Sequence, residues 1–451
     1  MKSVAIIGAG ITGLTAAFCL KRNGIPVTVY EATSRAGGVI QSVRRDGFLA
    51  ESGPNTLLET APEISQLIRD LNLESRRRQT SPDAEARFVV RGKQPVAMPS
   101  SQLGIFTSKL LTVGAKLALL REPFIPPRRH GAEESVADFV SRRVNREFLD
   151  RLVDALVAGI YAGDPQKLSV QHAFPRLAQL ETKYGSLIKG QIRSARERKK
   201  TGQVARDRAP KLSFDDGLQV LTDTLAAQVD VKFNTPVTRL AKNGNTWQVT
   251  TPTNEIEHAA VVYCGTAFRL AELSVMTPKP VDLSLFSEIR YSPVASVVLG
   301  FRREDVVHPC RGFGMLIPKI EGFKILGTIF SSALFPDRAP AGHVLLSSYV
   351  GGERDPKLAG LPADELVKVT RDDLAVLLGV KGRPVFVHTA LYPRAIPQYN
   401  LGYGKFKDRM NEIESSTPGL FFAGHFRDGI SLGDSIVSGS NMAARLKNFL
   451  A

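Results

Sequence analysis

A glycine-rich stretch, Val4-Ala5-Ile6-Ile7-Gly8-Ala9-Gly10-Ile11-Thr12-Gly13-Leu14, decides the fold of this chain. The residues at 3–7 are small or β-branched, which is typical of a buried parallel strand. Gly8, Gly10 and Gly13 then match G-x-G-x-x-G. In that pattern the first glycine allows a tight turn, the second lets backbone N–H groups approach a pyrophosphate, and the third lets a helix pack on the strand. The stretch therefore predicts a strand, a phosphate-binding turn and a helix.

The residues that follow complete a dinucleotide-binding unit. The predicted helix includes Ile11 and Thr12 in its first turn, and its positive N-terminal end would face phosphates. A second apolar strand over 27–30 ends at Glu31, 18 residues after Gly13, with Ala32 next to it. A carboxylate at that distance can accept hydrogen bonds from both ribose hydroxyls. NAD and FAD share this pattern, so the unit alone does not choose between them.

Two further segments favour FAD. Ser34-Arg35-Ala36-Gly37-Gly38 contains a second pair of glycines, Gly37 and Gly38, which gives an extended flavin ligand another close approach to the backbone. Arg35 could offset pyrophosphate charge. The segment Glu51-Ser52-Gly53-Pro54-Asn55-Thr56 then predicts a loop along an isoalloxazine ring, although a surface turn would have the same composition.

Length and cysteine content limit the classes of protein. A chain of 451 residues is too long for one core and suits two or three domains. The three cysteines form no C-x-x-C pair, and the seven histidines show no metal-ligand spacing. The sequence therefore predicts a protein of a reducing compartment with no metal site.

The formal net charge of +15 indicates an anionic partner. The basic clusters are Arg76-Arg77-Arg78, Arg128-Arg129-His130, Arg142-Arg143 and residues 193–211. Anionic lipid, nucleic acid or a substrate with several carboxylates could account for them. Nucleic-acid binding is not expected, because the run at 193–211 has no aromatic residues for stacking. A solvated helix face explains that run equally well.

Residues 103–126 combine many apolar side chains with only four charged ones, Lys109, Lys116, Arg121 and Glu122. An apolar surface that also carries lysines can lie in a membrane interface. A plain buried helix would have a similar composition, and both interpretations stay open. No run approaches 18 uninterrupted apolar residues, so the sequence predicts no spanning segment.

Periodicity and turn signals predict an α/β fold in which the FAD-binding domain is discontinuous. Segments 57–74, 217–227, 363–378 and 434–450 read as helices, 103–200 as mostly helical, 87–98 as a hairpin and 290–395 as an antiparallel sheet. The predicted domains are a Rossmann-like FAD-binding domain over 1–80, 205–275 and 396–451, an inserted α+β substrate-binding domain over 81–98 and 276–395, and a helical, membrane-associating domain over 99–204.

Four stretches beyond the glycine pattern carry a family resemblance. They are Arg87–Gly92 running on to Met98-Pro99-Ser100, Leu156–Pro165 with Leu168-Ser169, Leu326–Ser332 with Phe335–Pro340, and Gly419–Gly424 with Gly429–Leu432 and Ser438-Gly439. With these stretches the chain resembles the protoporphyrinogen oxidases, the oxygen-dependent FAD enzymes of late haem synthesis. The resemblance extends over nearly the whole sequence.

The resemblance implies roles on both sides of a flavin bound without a covalent bond. On the cofactor side, Val237 would contact adenine through its backbone. Gly424 and the turn Ile430-Ser431-Leu432 would meet the flavin from the C-terminal side. On the substrate side, Arg91 would pair with a propionate, and Phe335 and Leu316 would hold a pyrrole ring between them. Gly163, with the residues from Ala158 onward, would border the cavity.

Two positions depart from patterns seen in other flavoproteins. Gly424 is followed by His425, where many flavoproteins carry Asp. The oxidases that this chain resembles commonly lack that acid too, so the departure agrees with the resemblance. Val39 stands where some relatives carry Trp, which leaves the packing against the flavin open at that position.

The activity implied is oxidation of protoporphyrinogen IX to protoporphyrin IX by O₂, with FAD taking electrons and O₂ reoxidising it to give H₂O₂. Coproporphyrinogen III is an alternative substrate. A flavin amine oxidase, a carotenoid-type desaturase and a non-catalytic carrier of lipidated proteins are lower alternatives. Residues 395–451 contain no cysteine for a covalent flavin. We expect a cytoplasmic protein, peripheral on the inner membrane, with a homodimer left open.

Overall fold

A computed structural model describes residues 2–99, 102–128, 133–201 and 209–451. The strands are β1 (Val4–Ile7), β2 (Val27–Tyr30), β3 (Ser42–Arg45), β4 (Phe48–Glu51), β5 (Leu57–Leu58), β6 (Arg77–Gln79), β7 (Arg87–Arg91), β8 (Gln94–Ala97), β9 (Lys211–Phe214), β10 (Asp230–Lys232), β11 (Arg239–Asn243), β12 (Thr246–Thr250), β13 (Glu255–His258), β14 (Ala260–Tyr263), β15 (Ser274–Met276), β16 (Tyr291–Arg302), β17 (Gly314–Leu316), β18 (Ile325–Phe330), β19 (His343–Gly351), β20 (Phe386–Pro397) and β21 (Leu420–Phe422).

The helices are α1 (Ile11–Arg22), α2 (Pro62–Asp70), α3 (Gln102–Thr107), α4 (Val113–Arg121), α5 (Val136–Arg143), α6 (Arg146–Phe148), α7 (Asp154–Tyr161), α8 (Val170–Ala173), α9 (Pro175–Tyr184), α10 (Leu187–Thr201), α11 (Gln219–Gln228), α12 (Ala267–Leu270), α13 (Ser331–Leu334), α14 (Ala363–Leu378), α15 (Gly404–Ser416) and α16 (Leu432–Leu450). A π-helical stretch, Leu149–Val153, joins α6 to α7. The predicted basic positions 129, 130 and 202–208 lie outside the described residues.

A five-stranded parallel sheet of order β10-β2-β1-β14-β21 carries the glycine-rich turn. Val4 of β1 pairs with Val27 on one side and with Ala260 on the other. Both faces of this sheet are buried, which explains the continuous apolar strands. Its strands come from three separate parts of the chain, so the predicted discontinuous α/β fold is confirmed.

Helices α1 and α16 pack together on this sheet through a glycine. A Cβ at Gly439 of α16 would lie 2.4 Å from the carbonyl oxygen of Thr12 in α1. Only glycine permits that approach without moving one of the helices. Helices α1 and α16 are therefore in contact just after the glycine-rich turn, at the first turn of α1.

A seven-stranded sheet, of order β20-β16-β19-β18-β17-β7-β8, forms the second layer. Its pairs are antiparallel except β17 with β7, which run parallel. The predicted hairpin 87–98 thus joins the predicted antiparallel sheet through a pairing that the sequence does not indicate. Helix α14 covers one face, where Leu366 and Leu374 pack against the sheet.

The opposite face of this sheet presents one row of side chains across neighbouring strands. Val89 is in register with Leu316, Leu316 with Gly327, and Gly327 with Tyr349. Residues in register share a face of a sheet, so this row lies on one surface. Arg91 is two residues beyond Val89 and belongs to the same surface.

The predicted helix over 57–74 is partly wrong. Leu57 and Leu58 form β5, which pairs with Leu212 and Lys211 of β9. The helix starts only at Pro62, because proline is favoured in the first helical turn and the residue before proline avoids the helical region. Tertiary pairing therefore overrides the local apolar pattern over 57–61.

Candidate active site

The turn between β1 and α1 has the geometry of an anion site. Gly8 has φ of +104°, which favours glycine, and a Cβ at Gly13 would lie 2.1 Å from the carbonyl oxygen of Gly8. A Cβ at Gly10 would meet no heavy atom of the described residues within 4 Å. Gly10 therefore borders open space at the start of α1, where the first amides lack acceptors within the helix. These residues fit a pyrophosphate.

Glu31 lies beside that turn, as predicted. One carboxylate oxygen accepts a hydrogen bond from Ala9 N at 2.8 Å, and the other accepts from Thr33 N at 2.9 Å. Ala32 lies between Glu31 and Thr33. The carboxylate is thereby fixed next to the glycine-rich turn, with lone pairs left for ribose hydroxyls.

Val237 follows a segment that is joined to the same strand end. Thr235 N donates to the carbonyl oxygen of Glu31 at 2.8 Å, and Asn234 N donates to that of Thr33 at 2.9 Å. The backbone of 235–237 therefore runs beside the ribose-binding acid. Contact between Val237 and adenine stays a prediction, and this position is consistent with it.

The loop at 36–40 contacts the glycine-rich turn directly. Gly37 N donates to the carbonyl oxygen of Ala9 at 2.8 Å, and Gly37 and Gly38 both have positive φ. Arg35 directly precedes this loop, and its role in offsetting pyrophosphate charge stays a prediction. Its guanidinium donates to the carbonyl oxygens of Ala36, Gly38 and Ile40. In this arrangement Arg35 holds the loop in shape.

Tyr349 of the seven-stranded sheet holds the predicted flavin-facing loop. Its hydroxyl accepts a hydrogen bond from Asn55 Nδ2 at 2.5 Å and donates to the carbonyl oxygen of Gly53 at 3.3 Å. Burial raises the pKa of this phenol, so the hydroxyl stays protonated. A Cβ at Gly53 would lie 2.3 Å from the carbonyl oxygen of Val39. The loop Gly53-Pro54-Asn55-Thr56 is therefore fixed between two layers of the fold.

The C-terminal turn closes over the start of α1. Gly424 has φ of +109°, and its N–H donates to Ser438 Oγ at 3.0 Å. Ser431 is the N-cap of α16 and forms a capping box with Asp434. Ile430 and Leu432 flank this cap, so the predicted turn Ile430-Ser431-Leu432 lies at the start of α16, while Gly424 contacts that helix through Ser438.

His425 contributes no charge to this turn at neutral pH. Burial lowers the pKa of its imidazole to about 4. Its Nε2 lies 3.4 Å from the hydroxyl of Tyr291, and the tautomer decides which group donates. The position where many flavoproteins carry an acid is therefore occupied here by a neutral ring.

Helix α7 carries an apolar wall and packs against Leu316 of the sheet through Gly159. Helix α7 exposes Leu156 and Ile160, which are 39% and 43% exposed. Gly159 lies between them, and a Cβ there would be 2.5 Å from Leu316 Cδ2. Leu156, Gly159 and Ile160 form a stripe at helical spacing, and Gly163 follows the end of the helix, beyond the left-handed Ala162. The structure brings Leu316 against Gly159 of this stripe. The border of a substrate cavity along Ala158 to Gly163 stays a prediction.

Arg91 lies at the end of β7, on the same sheet surface as Leu316. One guanidinium nitrogen donates to the carbonyl oxygen of Lys109. This contact joins the hairpin to the loop between α3 and α4. A guanidinium has five N–H donors, so Arg91 retains donors for a carboxylate.

Phe335 packs in a different cluster of the core from Leu316. It is 2% exposed and packs with Ala84, Leu334, Phe313 and Ile329. The guanidinium of Arg338 lies 5.1 Å from its ring centroid. Leu316 packs in a different cluster, with Val89 and Leu110. Stacking of Phe335 on a pyrrole ring stays a prediction.

Two residues that support the flavin-facing loop, Tyr349 and His388, were not predicted from the sequence, and Glu51 was predicted only as a member of that loop. His388 Nε2 lies 2.8 Å from Ser52 Oγ, and Glu51 accepts from Ser42 Oγ at 2.6 Å. The contacts of Tyr349 and His388 join residues that are far apart in sequence, so no local pattern could have indicated them. The contact of Glu51 with Ser42 lies within the β3–β4 hairpin. Among the described residues no cluster of His, Cys, Asp or Glu could hold a metal ion.

The chain matches the family model described as flavin containing amine oxidoreductase over residues 11–447. It is 36% identical to protoporphyrinogen oxidase 2, chloroplastic/mitochondrial, of Arabidopsis thaliana, over 100% of this chain and 94% of that protein. It is 28% identical to coproporphyrinogen III oxidase of Bacillus subtilis (strain 168), over 97% of this chain and 96% of that protein.

Two solved structures support the fold. One is a protein from Exiguobacterium sp. 255-15, with a TM-score of 0.82 at 22% identity and 99% of both chains covered. The other is cyclohexylamine oxidase from Brevibacterium oxydans IH-35A, with a TM-score of 0.69 at 16% identity, over 100% of this chain and 99% of that one.

The fold and the geometry of the turn define an FAD-dependent oxidoreductase. The chain belongs to the flavin-containing amine oxidoreductase family, and its recognition as a relative of the protoporphyrinogen oxidases is confirmed.

Proposed function

We propose that this protein oxidises protoporphyrinogen IX to protoporphyrin IX with O₂, in haem and porphyrin biosynthesis. The observation that carries the proposal is the close contact of Gly159 in α7 with Leu316, beside the exposed Leu156 and Ile160 and with Arg91 on the same sheet surface as Leu316. A porphyrinogen is a large apolar macrocycle that bears carboxylates. Mostly apolar walls with a cation at the rim suit such a ligand.

The residues of this chain have separable tasks in that reaction. When bound, FAD supplies the redox chemistry. Arg91 would bind one propionate through its free N–H groups, and Leu316 with the α7 stripe would hold the macrocycle and exclude water. Tyr349 keeps Asn55 and Gly53 in place on the cofactor side. The pyrrole N–H protons can leave to solvent, so no protein base is required.

Coproporphyrinogen III is the second candidate substrate. The net charge of +15 favours it, because this substrate carries four propionates where protoporphyrinogen IX carries two. The Bacillus subtilis relative bears the name coproporphyrinogen III oxidase. We place it second because the identity to the Arabidopsis thaliana protoporphyrinogen oxidase is higher, at 36%.

One assay tests the function and ranks the two substrates. The purified protein, reconstituted with FAD, is offered each porphyrinogen under air, and porphyrin fluorescence and H₂O₂ are recorded together. We expect both signals to rise, with the larger kcat/KM on protoporphyrinogen IX. A protein that holds FAD and oxidises neither substrate would contradict the proposal. A larger kcat/KM on coproporphyrinogen III would reverse the ranking.

A substitution at Arg91 tests substrate binding. Arg91→Ala removes the guanidinium, so KM should rise by about tenfold or more, which corresponds to one lost charge-assisted hydrogen bond. The kcat should change little, because no step of the oxidation needs this charge. The matched control is Arg87→Ala at the other end of β7. An unchanged KM in Arg91→Ala would remove Arg91 from the site.

We also propose peripheral contact with an anionic membrane, on the cytoplasmic face of the inner membrane. Val113 and Phe124, at the two ends of the segment that includes α4, are 72% and 83% exposed, and Leu117 and Leu120 are more than half exposed between them. Lys189 of α10 lies 5.7 Å from the ring of Phe124. Exposed apolar residues beside cations suit a lipid interface.

No helix in the described part of the chain is both long and apolar enough to span a bilayer. Co-sedimentation with phosphatidylglycerol vesicles at low salt tests the peripheral contact. The double variant Leu117→Glu with Phe124→Glu should bind several-fold less than the wild type. Leu391→Glu, at an exposed leucine of β20, is the control. Equal binding of all three proteins would contradict this surface.

A further inference from the structure

The segment Gly351-Gly352-Glu353-Arg354 connects to both ends of α7, the helix that carries the apolar wall. It follows β19, whose Tyr349 holds the flavin-facing loop. Glu353 N donates to the carbonyl oxygen of Ala162, just after α7, at 2.7 Å. Arg354 Nη2 donates to Oδ2 of Asp154, the first residue of α7, at 3.0 Å. We call these four residues the clamp segment.

At the N-terminal end of α7 the clamp segment joins the helix to the strand that bears Leu316. Arg354 Nη2 also donates to the carbonyl oxygen of Ile317 at 3.0 Å, and Lys319 N donates to Asp154 Oδ2 at 2.7 Å. The side chains of Arg354 and Asp154 are 11% and 14% exposed. Loss of one partner from a buried pair leaves the other charge poorly compensated, so this connection is strong.

At the C-terminal end of α7 the carboxylate of Glu353 collects three donors. It accepts from Arg290 Nε at 2.7 Å, Ser292 Oγ at 3.1 Å and Lys167 Nζ at 3.3 Å. Burial opposes ionisation of this group, but the donors outweigh it and hold the pKa of Glu353 below its usual range. The carboxylate therefore stays charged and fixes the chain that follows α7.

Backbone geometry places the clamp segment against the helix end. Gly352 has φ of +68°, and a Cβ there would lie 2.5 Å from the carbonyl oxygen of Ala162. Ala162 itself has a left-handed conformation, with φ of +46°. The close approach thus needs glycine at 352, and it brings Glu353 N within reach of the carbonyl oxygen of Ala162, just after α7.

We propose that Arg354 and Glu353 are positioning residues that fix the distance between α7 and Leu316, and with it the width of the porphyrinogen cavity. This inference rests on the proposed function, because the cavity is defined by its substrate. Neither residue needs to touch the substrate or FAD. Their loss should let α7 move away from Leu316, so that substrate binding weakens while the oxidation of bound substrate continues.

The experiment separates binding from turnover. In the FAD-loaded protein, Arg354→Met should raise KM for protoporphyrinogen IX by roughly tenfold, with kcat within about twofold of wild type and an unchanged flavin absorbance spectrum. Glu353→Gln should act in the same direction, and Arg354→Lys should restore part of the affinity. The same KM in Arg354→Met and wild type would overturn the proposal.

The control is Asp373→Asn on the opposite face of the same sheet. Asp373 of α14 accepts from Lys324 N and Ile325 N at 2.7 and 2.9 Å, and a neutral amide in its place is a weaker acceptor, so the variant also loosens a helix from a strand. The thermal stability of Asp373→Asn should fall, but its KM for protoporphyrinogen IX should not change. A rise of KM in this control equal to that in Arg354→Met would show a general stability effect and contradict the clamp.

Hydrogen exchange tests the clamp independently of activity. Amides of α7 should exchange several-fold faster in Arg354→Met than in wild type, while those of α14 keep their protection. In Asp373→Asn the amides of α14 should exchange faster than in wild type, while those of α7 keep their protection. Unchanged exchange in α7 would overturn the proposal even if the wild type proves active. If the amides of α7 exchange faster in Arg354→Met, but the wild type oxidises no porphyrinogen, the proposed function alone would be refuted.

Discussion

The glycines of the first turn have different physical tasks, which substitutions can separate. Gly13→Ala places a Cβ 2.1 Å from the Gly8 carbonyl oxygen and should destabilise the fold by about 1–3 kcal/mol or more. Gly10→Ala meets no described atom within 4 Å, so the protein should fold normally but retain less FAD. Thermal unfolding and FAD absorbance per chain measure the two effects. Normal FAD content in Gly10→Ala would contradict its place beside the pyrophosphate.

Glu51 should make stability depend on pH. Burial raises the pKa of its carboxyl to about 7, despite hydrogen bonds from Ser42 and Leu218 and the charge of Arg338. Because the folded pKa lies above the unfolded one, the folded state binds more protons between about 4.5 and 7. The stabilising contribution is therefore complete below the unfolded pKa and is lost as pH rises through about 7.

The variant Glu51→Gln tests this pH dependence. Its free energy of unfolding should fall less than that of wild type between pH 4.5 and 7, because the amide does not titrate. Urea unfolding across this range measures the difference. Parallel profiles for the two proteins would show that Glu51 has an ordinary pKa. Asp337→Asn, at a partly exposed carboxylate near Arg78, serves as the control.

Among the elements, α5 depends on one buried cation. Arg143 is fully buried and pairs with Glu122, whose carboxylate also accepts from Leu187 N and Ile188 N at the start of α10. The pair therefore joins α5, the segment after α4 and α10. Acidic groups at a helix N-terminus are also favoured by the helix dipole.

Arg143→Met should lower the free energy of unfolding by about 3–5 kcal/mol, because Glu122 would remain buried with its charge partner gone. Thermal and urea unfolding measure it. The control is Arg146→Met, where the arginine pairs with Asp150 at 67% exposure and should contribute less than about 1 kcal/mol. A similar loss of unfolding free energy in both variants would show that burial does not make the Arg143 pair more important than the exposed Arg146 pair.

Element types were predictable where one period dominates the sequence. Helix α14 has the predicted bounds 363–378, and β1 and β2 follow the predicted apolar runs. Leu57 and Leu58 were assigned wrongly to a helix, because their strand forms only through pairing with Leu212 and Lys211. The parallel pairing of β7 with β17 was likewise out of reach, since its partners are more than 200 residues apart.

At the scale of the whole molecule, Tyr349 links the seven-stranded sheet to the loop on the cofactor side. Tyr349→Phe removes the hydroxyl that contacts Asn55 and Gly53. We expect FAD affinity to fall by about 0.5–1.5 kcal/mol, a few-fold to tenfold rise in Kd. Flavin fluorescence during titration measures it. The control is Tyr184→Phe in α9, which should leave the Kd for FAD unchanged. An unchanged Kd in Tyr349→Phe would contradict the importance of this link.

The sequence by itself determined the dinucleotide turn, the acid Glu31 and the FAD-directed glycines, because each acts through backbone conformation within a few residues. The predicted roles of Leu316 and of Ala158 to Gly163 at a substrate came from family resemblance. Only the tertiary structure decided that Tyr349 holds the flavin-facing loop and that Arg354 holds α7. These contacts join parts of the chain that are distant in sequence. The side chains come within hydrogen-bond distance, and become buried, only when the layers of the fold pack together.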